Sequence, residues 1–133
     1  MRYMLDTNIC IYVIKHKPES VFRELKKISH EDVCISSITY AELAYGVEKS
    51  VQTERNRLAL AMMLSSIDIA AFDDVAAAEY GEIRASLEKG GTHLGSLDML
   101  IAAHARSSGC TLVTNNTKEF CRVEGLKLAN WVE

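Results

Sequence analysis

The sequence predicts one α/β domain whose mainly parallel sheet lies between helical layers. Two observations carry that reading. Short apolar, β-rich runs alternate with helical patterns along the whole chain. No repeat, linker or low-complexity stretch interrupts the alternation. A chain of 133 residues with 48% apolar content suits one domain with a real core, spanning residues 1–133.

The elements follow in order. Tyr3-Met4-Leu5 is an apolar run ending at Asp6-Thr7-Asn8, as a strand ends at cap-type residues. Ile9 to Ile14 is apolar enough for a short, mostly buried helix. Pro18 suits the first turn of a second helix reaching Lys27. Val33-Cys34-Ile35 reads as a second strand, stopped by Ser36-Ser37. Thr39 is expected to open a helix running to Lys49, and Gln52–Ser65 carries another helical pattern. A third strand is expected within Ile67–Phe72, after which Asp73 caps a helix to Lys89. Gly90, Gly91 and Gly95 mark a turn. Ser96 then caps a helix to Ser107, closed by Gly109. Thr111–Thr114 is a fourth strand and Lys127–Trp131 a short edge strand. The two helical segments between strands three and four leave open whether Asp98 reaches the sheet edge of Asp6.

Composition narrows the function. With 15 Lys+Arg against 18 Asp+Glu, the formal charge is −3. That excludes a protein holding nucleic acid by net charge alone, but not a nuclease built on metal-binding acids. No apolar run approaches the ~20 residues of a membrane helix. The first residues carry only Arg2 and lead into Asp6, which does not resemble a secretory leader, so a cytoplasmic location is expected. Cys10, Cys34, Cys110 and Cys121 form no Cys-x-x-Cys pair, so buried reduced thiols are expected rather than zinc ligands or disulfides.

Four polar positions draw notice: Asp6, Glu42, Asp98 and Asn116. Each has a capping explanation. Asp6 suits a helix N-cap or Asx turn. Thr39–Glu42 fits a capping box, and so does Asn116–Glu119. Asp98 suits the first turn of a helix dipole. The alternative is convergence. Parallel sheets bind ligands at the carboxyl ends of their strands. Three carboxylates meeting there would repel one another unless a hard cation such as Mg²⁺ or Mn²⁺ relieved them. Such cations support phosphodiester hydrolysis by activated water.

Four segments resemble the motifs of the PIN-domain ribonucleases, in family order and across nearly the whole chain. They are Met4-Leu5-Asp6-Thr7-Asn8, then Ser36 through Leu43 with Gly46, then Gly95 through Ala105, and finally Leu112-Val113-Thr114-Asn115-Asn116 with Glu119-Phe120. Size and motif residues are most similar to VapC-type toxins of toxin–antitoxin operons. The resemblance implies a three-layer α/β/α fold and a Mg²⁺- or Mn²⁺-dependent endoribonuclease. It implies metal-binding roles for Asp6, Glu42 and Asp98. Asn116 falls where many relatives carry a fourth acid, so it supplies an amide oxygen without charge, and Glu119 is a candidate to compensate. Thr7 and Thr114 are expected to donate to the acids, and Asn8 to orient Asp6 or the substrate. Further implications are a cognate VapB-like antitoxin, a homodimer, and transfer RNA as substrate, with initiator tRNA foremost. The groove for the antitoxin is expected along Ile9–Ile14 and Thr39–Val47.

RNA contacts are expected from Lys15, Lys17, Lys118 and Arg122, which closely follow the motif segments, with Arg84 a weaker candidate. His16, His30, His93 and His104 read as structural or surface residues. Two other functions compete. A phosphotransferase with Asp6 as nucleophile would want a second acid where Asn8 stands. A catalytically impaired RNA- or protein-binding module would explain Asn116.

Overall fold

A computed structural model describes residues 2–133. Five strands form one sheet: β1 (Tyr3–Leu5), β2 (Val33–Ser36), β3 (Asp68–Ala70), β4 (Thr111–Val113) and β5 (Lys127–Ala129). Their order is β3-β2-β1-β4-β5, and every neighbouring pair is parallel. The helices between them are α1 (Thr7–Lys15), α2 (Glu19–Lys26), α3 (Ser37–Glu48), α4 (Thr53–Leu64), α5 (Asp74–Lys89), α6 (Ser96–Ser107) and α7 (Thr117–Phe120). A short 3-10 turn at His30–Asp32 leads into β2.

The strand pleat makes three layers. Met4, Cys34 and Leu112 share one face of the sheet and pack with Ile83 and Leu87 of α5 and with Met99, Ile101, Ala102 and Ala103 of α6. Leu5, Val33, Ile35 and Val113 take the other face, against Ile9, Cys10 and Val13 of α1, Val21 of α2, Leu43 of α3 and Leu60 and Met63 of α4. Sequence-adjacent Met4 and Leu5 thus serve opposite layers, and burying both faces is what a parallel sheet demands. Ala102, Ala103 and Ala105 are fully buried, so α6 lies close to its neighbours. Gly109 follows α6 at φ +69°, the left-handed conformation that ends helices and favours glycine.

Several boundaries differ from the sequence expectation. Pro18 is the N-cap of α2 rather than a first-turn residue. Its φ of −66° and ψ of 151° are extended, and Pro18 donates no N–H there. Helix α3 begins at Ser37, not Thr39, because the Ser36 hydroxyl already accepts from the Ile38 N–H at 3.0 Å. Helix α6 has Gly95 at its N-cap, so Ser96 is a helical residue and makes no side-chain cap. Three cysteines are buried and free as expected, but Cys121 is exposed, lying just past the single turn of α7. No helix among the described residues is long and apolar enough to cross a membrane.

Candidate active site

The chain winds outward from β1 in both directions, to β2 and β3 on one side and to β4 and β5 on the other. The carboxyl ends of β1 and β4 therefore flank the point where strand order reverses, where parallel sheets open a crevice. Asp6 leaves β1 at that point, its N–H donating to the Val113 carbonyl of β4 at 3.1 Å. It is also the N-cap of α1, and Oδ1 accepts from the Ile9 N–H at 2.9 Å. Capping and convergence are thus both true of this residue. Asp6 is 5% exposed. Burial pushes its carboxyl above the usual range. Bonds from the Thr114 hydroxyl and the Ile9 and Asn8 N–H groups oppose the shift, while the Glu42 charge adds to it.

Glu42 does not close a capping box. Ser36 has taken the cap, and Thr39 is a buried helical residue whose hydroxyl has no partner among the described residues. Glu42 instead turns to α1, where Oε1 accepts from the Thr7 hydroxyl at 2.6 Å. Asp98 stands in the first turn of α6. Its carboxyl is also raised, first by burial and then by the charges of Asp6, Glu42 and Glu119. Helix α6 packs against α3 and β4, and Asp98 lies near enough to Asp6, Glu42 and Glu119 to feel their charges.

The fourth motif joins through Thr114. Asn116 occupies the N-cap position of α7 but makes no side-chain cap. Its N–H donates to Thr114 Oγ1 at 2.9 Å, and the Thr114 side chain bonds Asp6. Glu119 is half-buried and makes itself felt at Asp98. The Asn8 side chain is exposed, and its contribution to Asp6 is its backbone N–H.

The donor chemistry fits a hard divalent cation. The crevice offers carboxylate oxygens from three segments, and two of them are held above their usual pKa partly by mutual repulsion. Among the described residues no three acidic, His or Cys side chains stand close enough together to form a ready-made metal site. Mg²⁺ needs none, since it keeps several waters and uses one or two carboxylates with substrate phosphates.

The basic candidates divide. Lys15 ends α1, Lys17 follows it, and both line one cleft with Arg55 of α4. Arg55 lies outside every motif; its only mark in the sequence is the lack of an acid three or four residues away. Lys118 is exposed beside Glu119. Arg122 instead donates to the His93 carbonyl at 3.0 Å and lines a separate cleft of about 150 Å³ with Glu82 and Arg106. Arg84 is tied to Glu88 and Tyr80. An apolar groove of about 260 Å³ also leads away from Thr7 and Glu42, between Ile11 and Ile14 of α1, Val47 of α3 and Leu60 of α4. His16, His30 and His93 are exposed, whereas His104 is buried with Nδ1 2.8 Å from Ser36 Oγ.

Known proteins resemble this chain over nearly its whole length. Residues 3–126 match the PIN domain family. The sequence is 49% identical to the tRNA(fMet)-specific endonuclease VapC of Shigella flexneri, over 98% of each chain. The fold is similar to that of VapBC2 from Rickettsia felis bound to a DNA fragment from their promoter: TM-score 0.93 and 45% identity, over 98% of this chain and 99% of that one. DNA-bound VapBC from Salmonella typhimurium gives a TM-score of 0.92 and 44% identity, over 98% of each chain.

Proposed function

This chain belongs to the PIN-domain family, as a toxin ribonuclease of the VapC type, and on that premise we propose that it hydrolyses RNA with divalent metal held by Asp6, Glu42 and Asp98. The reading is carried by Asp6 buried at the crevice between β1 and β4 and Glu42 tied through Thr7 to the start of the same helix; Asp98 lies within reach of their charges. The whole chain acts as one ribonuclease domain. When bound there, Mg²⁺ or Mn²⁺ supplies the positive charge that activates water and offsets charge on the scissile phosphate.

The protein's own share is orientation and exclusion. Asp6 accepts from three donors, two on α1 and one just past β4, which favour its ionised form against the effect of burial. Thr7 fixes one oxygen of Glu42 and leaves the other free. Asp98 enters from the opposite helical layer, so the substrate phosphate is approached from both sides of the sheet edge. Asn116 and Glu119 stand at the β4 side, the first as a neutral oxygen and the second as a charge.

The relative from Shigella flexneri is named for tRNA(fMet), and we assign initiator tRNA to this chain on that likeness. Its solved relatives are VapBC toxin–antitoxin assemblies, so a VapB-like antitoxin is its partner. The apolar groove running from Thr7 and Glu42 suits an antitoxin segment that ends over the acids. A homodimer and a cytoplasmic location complete the reading on family likeness alone. Asn116, neutral where many relatives carry an acid, favours the second reading of an impaired binding module.

One experiment separates the two. RNA ends produced by the wild type and by Asp98→Ala are sequenced after incubation with Mg²⁺. A defined cut present only with the wild type is expected. An RNA pool left intact by the wild type at saturating metal would select the binding module.

A further inference from the structure

We propose that Lys15, Lys17 and Arg55 form one phosphate-binding cleft that carries the RNA backbone to the acids from the α1–α4 side. The inference rests on the ribonuclease reading and adds the route of the substrate. The cleft measures about 510 Å³ and is lined by these three cations with Gln52 and Asn56. It shares Ile14, Lys15, Asn56 and Ala59 with the groove that ends at Thr7 and Glu42, so the two are continuous.

Three features point to a polyanion. No carboxylate lines the cleft, and none of its three cations forms an ion pair among the described residues. Several other cations are matched, Arg57 with Glu48 and Glu54, Arg23 with Glu19 and Lys27 with Glu24, while Lys26 and Lys49 lie over the Phe22 and Tyr45 rings. Arg55 spends one N–H on Gln52 Oε1 at 2.9 Å, which fixes its guanidinium and leaves its other donors for phosphate.

Position adds to the field. Arg55 lies in the first turn of α4, whose N-cap Gln52 makes no side-chain cap, and the one acid of that turn, Glu54, is paired with Arg57. The amides of Gln52 and Asn56 suit sugar and phosphate oxygens. The neighbouring groove is apolar and suits a peptide; the cleft is cationic and suits RNA. A chain of net charge −3 needs such a local site to hold its substrate.

The test uses the full-length chain carrying Asp98→Ala, with labelled initiator tRNA as probe, and reads affinity by fluorescence anisotropy across a salt series. Adding Lys17→Ala and Arg55→Ala together should weaken binding several-fold and reduce the log–log salt slope by about 2, one for each phosphate no longer neutralised. Arg57→Ala changes the net charge without touching the cleft and should leave the slope unchanged. An equal loss from Arg57→Ala would reduce the effect to overall charge and overturn the proposal. Unchanged affinity and slope in the double variant would overturn it too, and would leave the ribonuclease reading standing. Weakened binding of a purified VapB-like antitoxin with unchanged tRNA affinity would give the cleft to the antitoxin, again overturning it. If the slope falls as expected while the wild type cuts no RNA, the cleft stands and the ribonuclease reading fails.

Discussion

The Thr7 hydroxyl donates to Glu42 Oε1 across 2.6 Å, tying the first turn of α1 to the second turn of α3. Asp6 and Glu42 are thereby registered by adjacent residues of one helix start. Replacing Thr7 by Val keeps the volume and removes the donor. It should lower kcat/KM for RNA about tenfold, near 1.4 kcal/mol, by freeing Glu42 to other rotamers. Thr7→Ser restores the donor and should recover most of the loss. Equal kinetics for the valine variant and the wild type would remove Thr7 from the site.

Asp6 and Asp98 should part company in stability while agreeing in activity. Either change to Ala should abolish cleavage. Asp6→Ala also deletes the α1 cap to the Ile9 N–H, which costs about 1 kcal/mol. At Asp98 burial and the repulsion of Asp6, Glu42 and Glu119 outweigh the favourable helix end, so Asp98→Asn should stabilise the metal-free protein. Thermal unfolding in EDTA reads this directly: Tm falls for the first variant and rises for the second.

Metal should be required and should be seen in stability as well as turnover. EDTA should stop cleavage, and Mg²⁺ or Mn²⁺ should restore it and raise Tm by mass action. Asn116→Asp adds a charge next to Thr114, the residue that bonds Asp6. It should lower the Mg²⁺ concentration giving half-maximal cleavage. An unaltered metal requirement would mean that Asn116 lies beyond reach of the cation.

Burial holds the His104 imidazole below its ordinary value of 6.5, with the Asp73 charge pulling the other way. The unfolded chain takes up a proton as pH falls below 6.5, and the folded chain does so only at the lower value. Stability is therefore unaffected above that window and declines as pH drops through it, by no more than about 1.4 kcal/mol per pH unit. Gln in place of His104 keeps a partner for Ser36 and removes the titration. Urea unfolding between pH 5 and 8 should show a flatter profile for that variant. Parallel profiles would assign the acid sensitivity elsewhere.

Much of this architecture is legible in the sequence because the signals are local. Strand runs, the Asp73 cap and the glycine after α6 each depend on residues a few positions apart. The motif residues Asp6, Glu42, Asp98 and Asn116 are visible for the same reason. Local signals mislead at Thr39–Glu42, where a capping box is as good an explanation until Ser36 takes the cap and Glu42 turns to Thr7.

Convergence is decided only by tertiary structure. The order β3-β2-β1-β4-β5 puts Asp6 and Thr114 at one reversal point, although they lie far apart in sequence. Packing of α5 and α6 onto that sheet delivers Asp98, and no pattern within either helix specifies the delivery. The cleft of Lys15, Lys17 and Arg55 has the same origin. Periodicity determines which face of each element is buried. Which side chains then meet depends on how the buried faces share one sheet, a property of the whole chain.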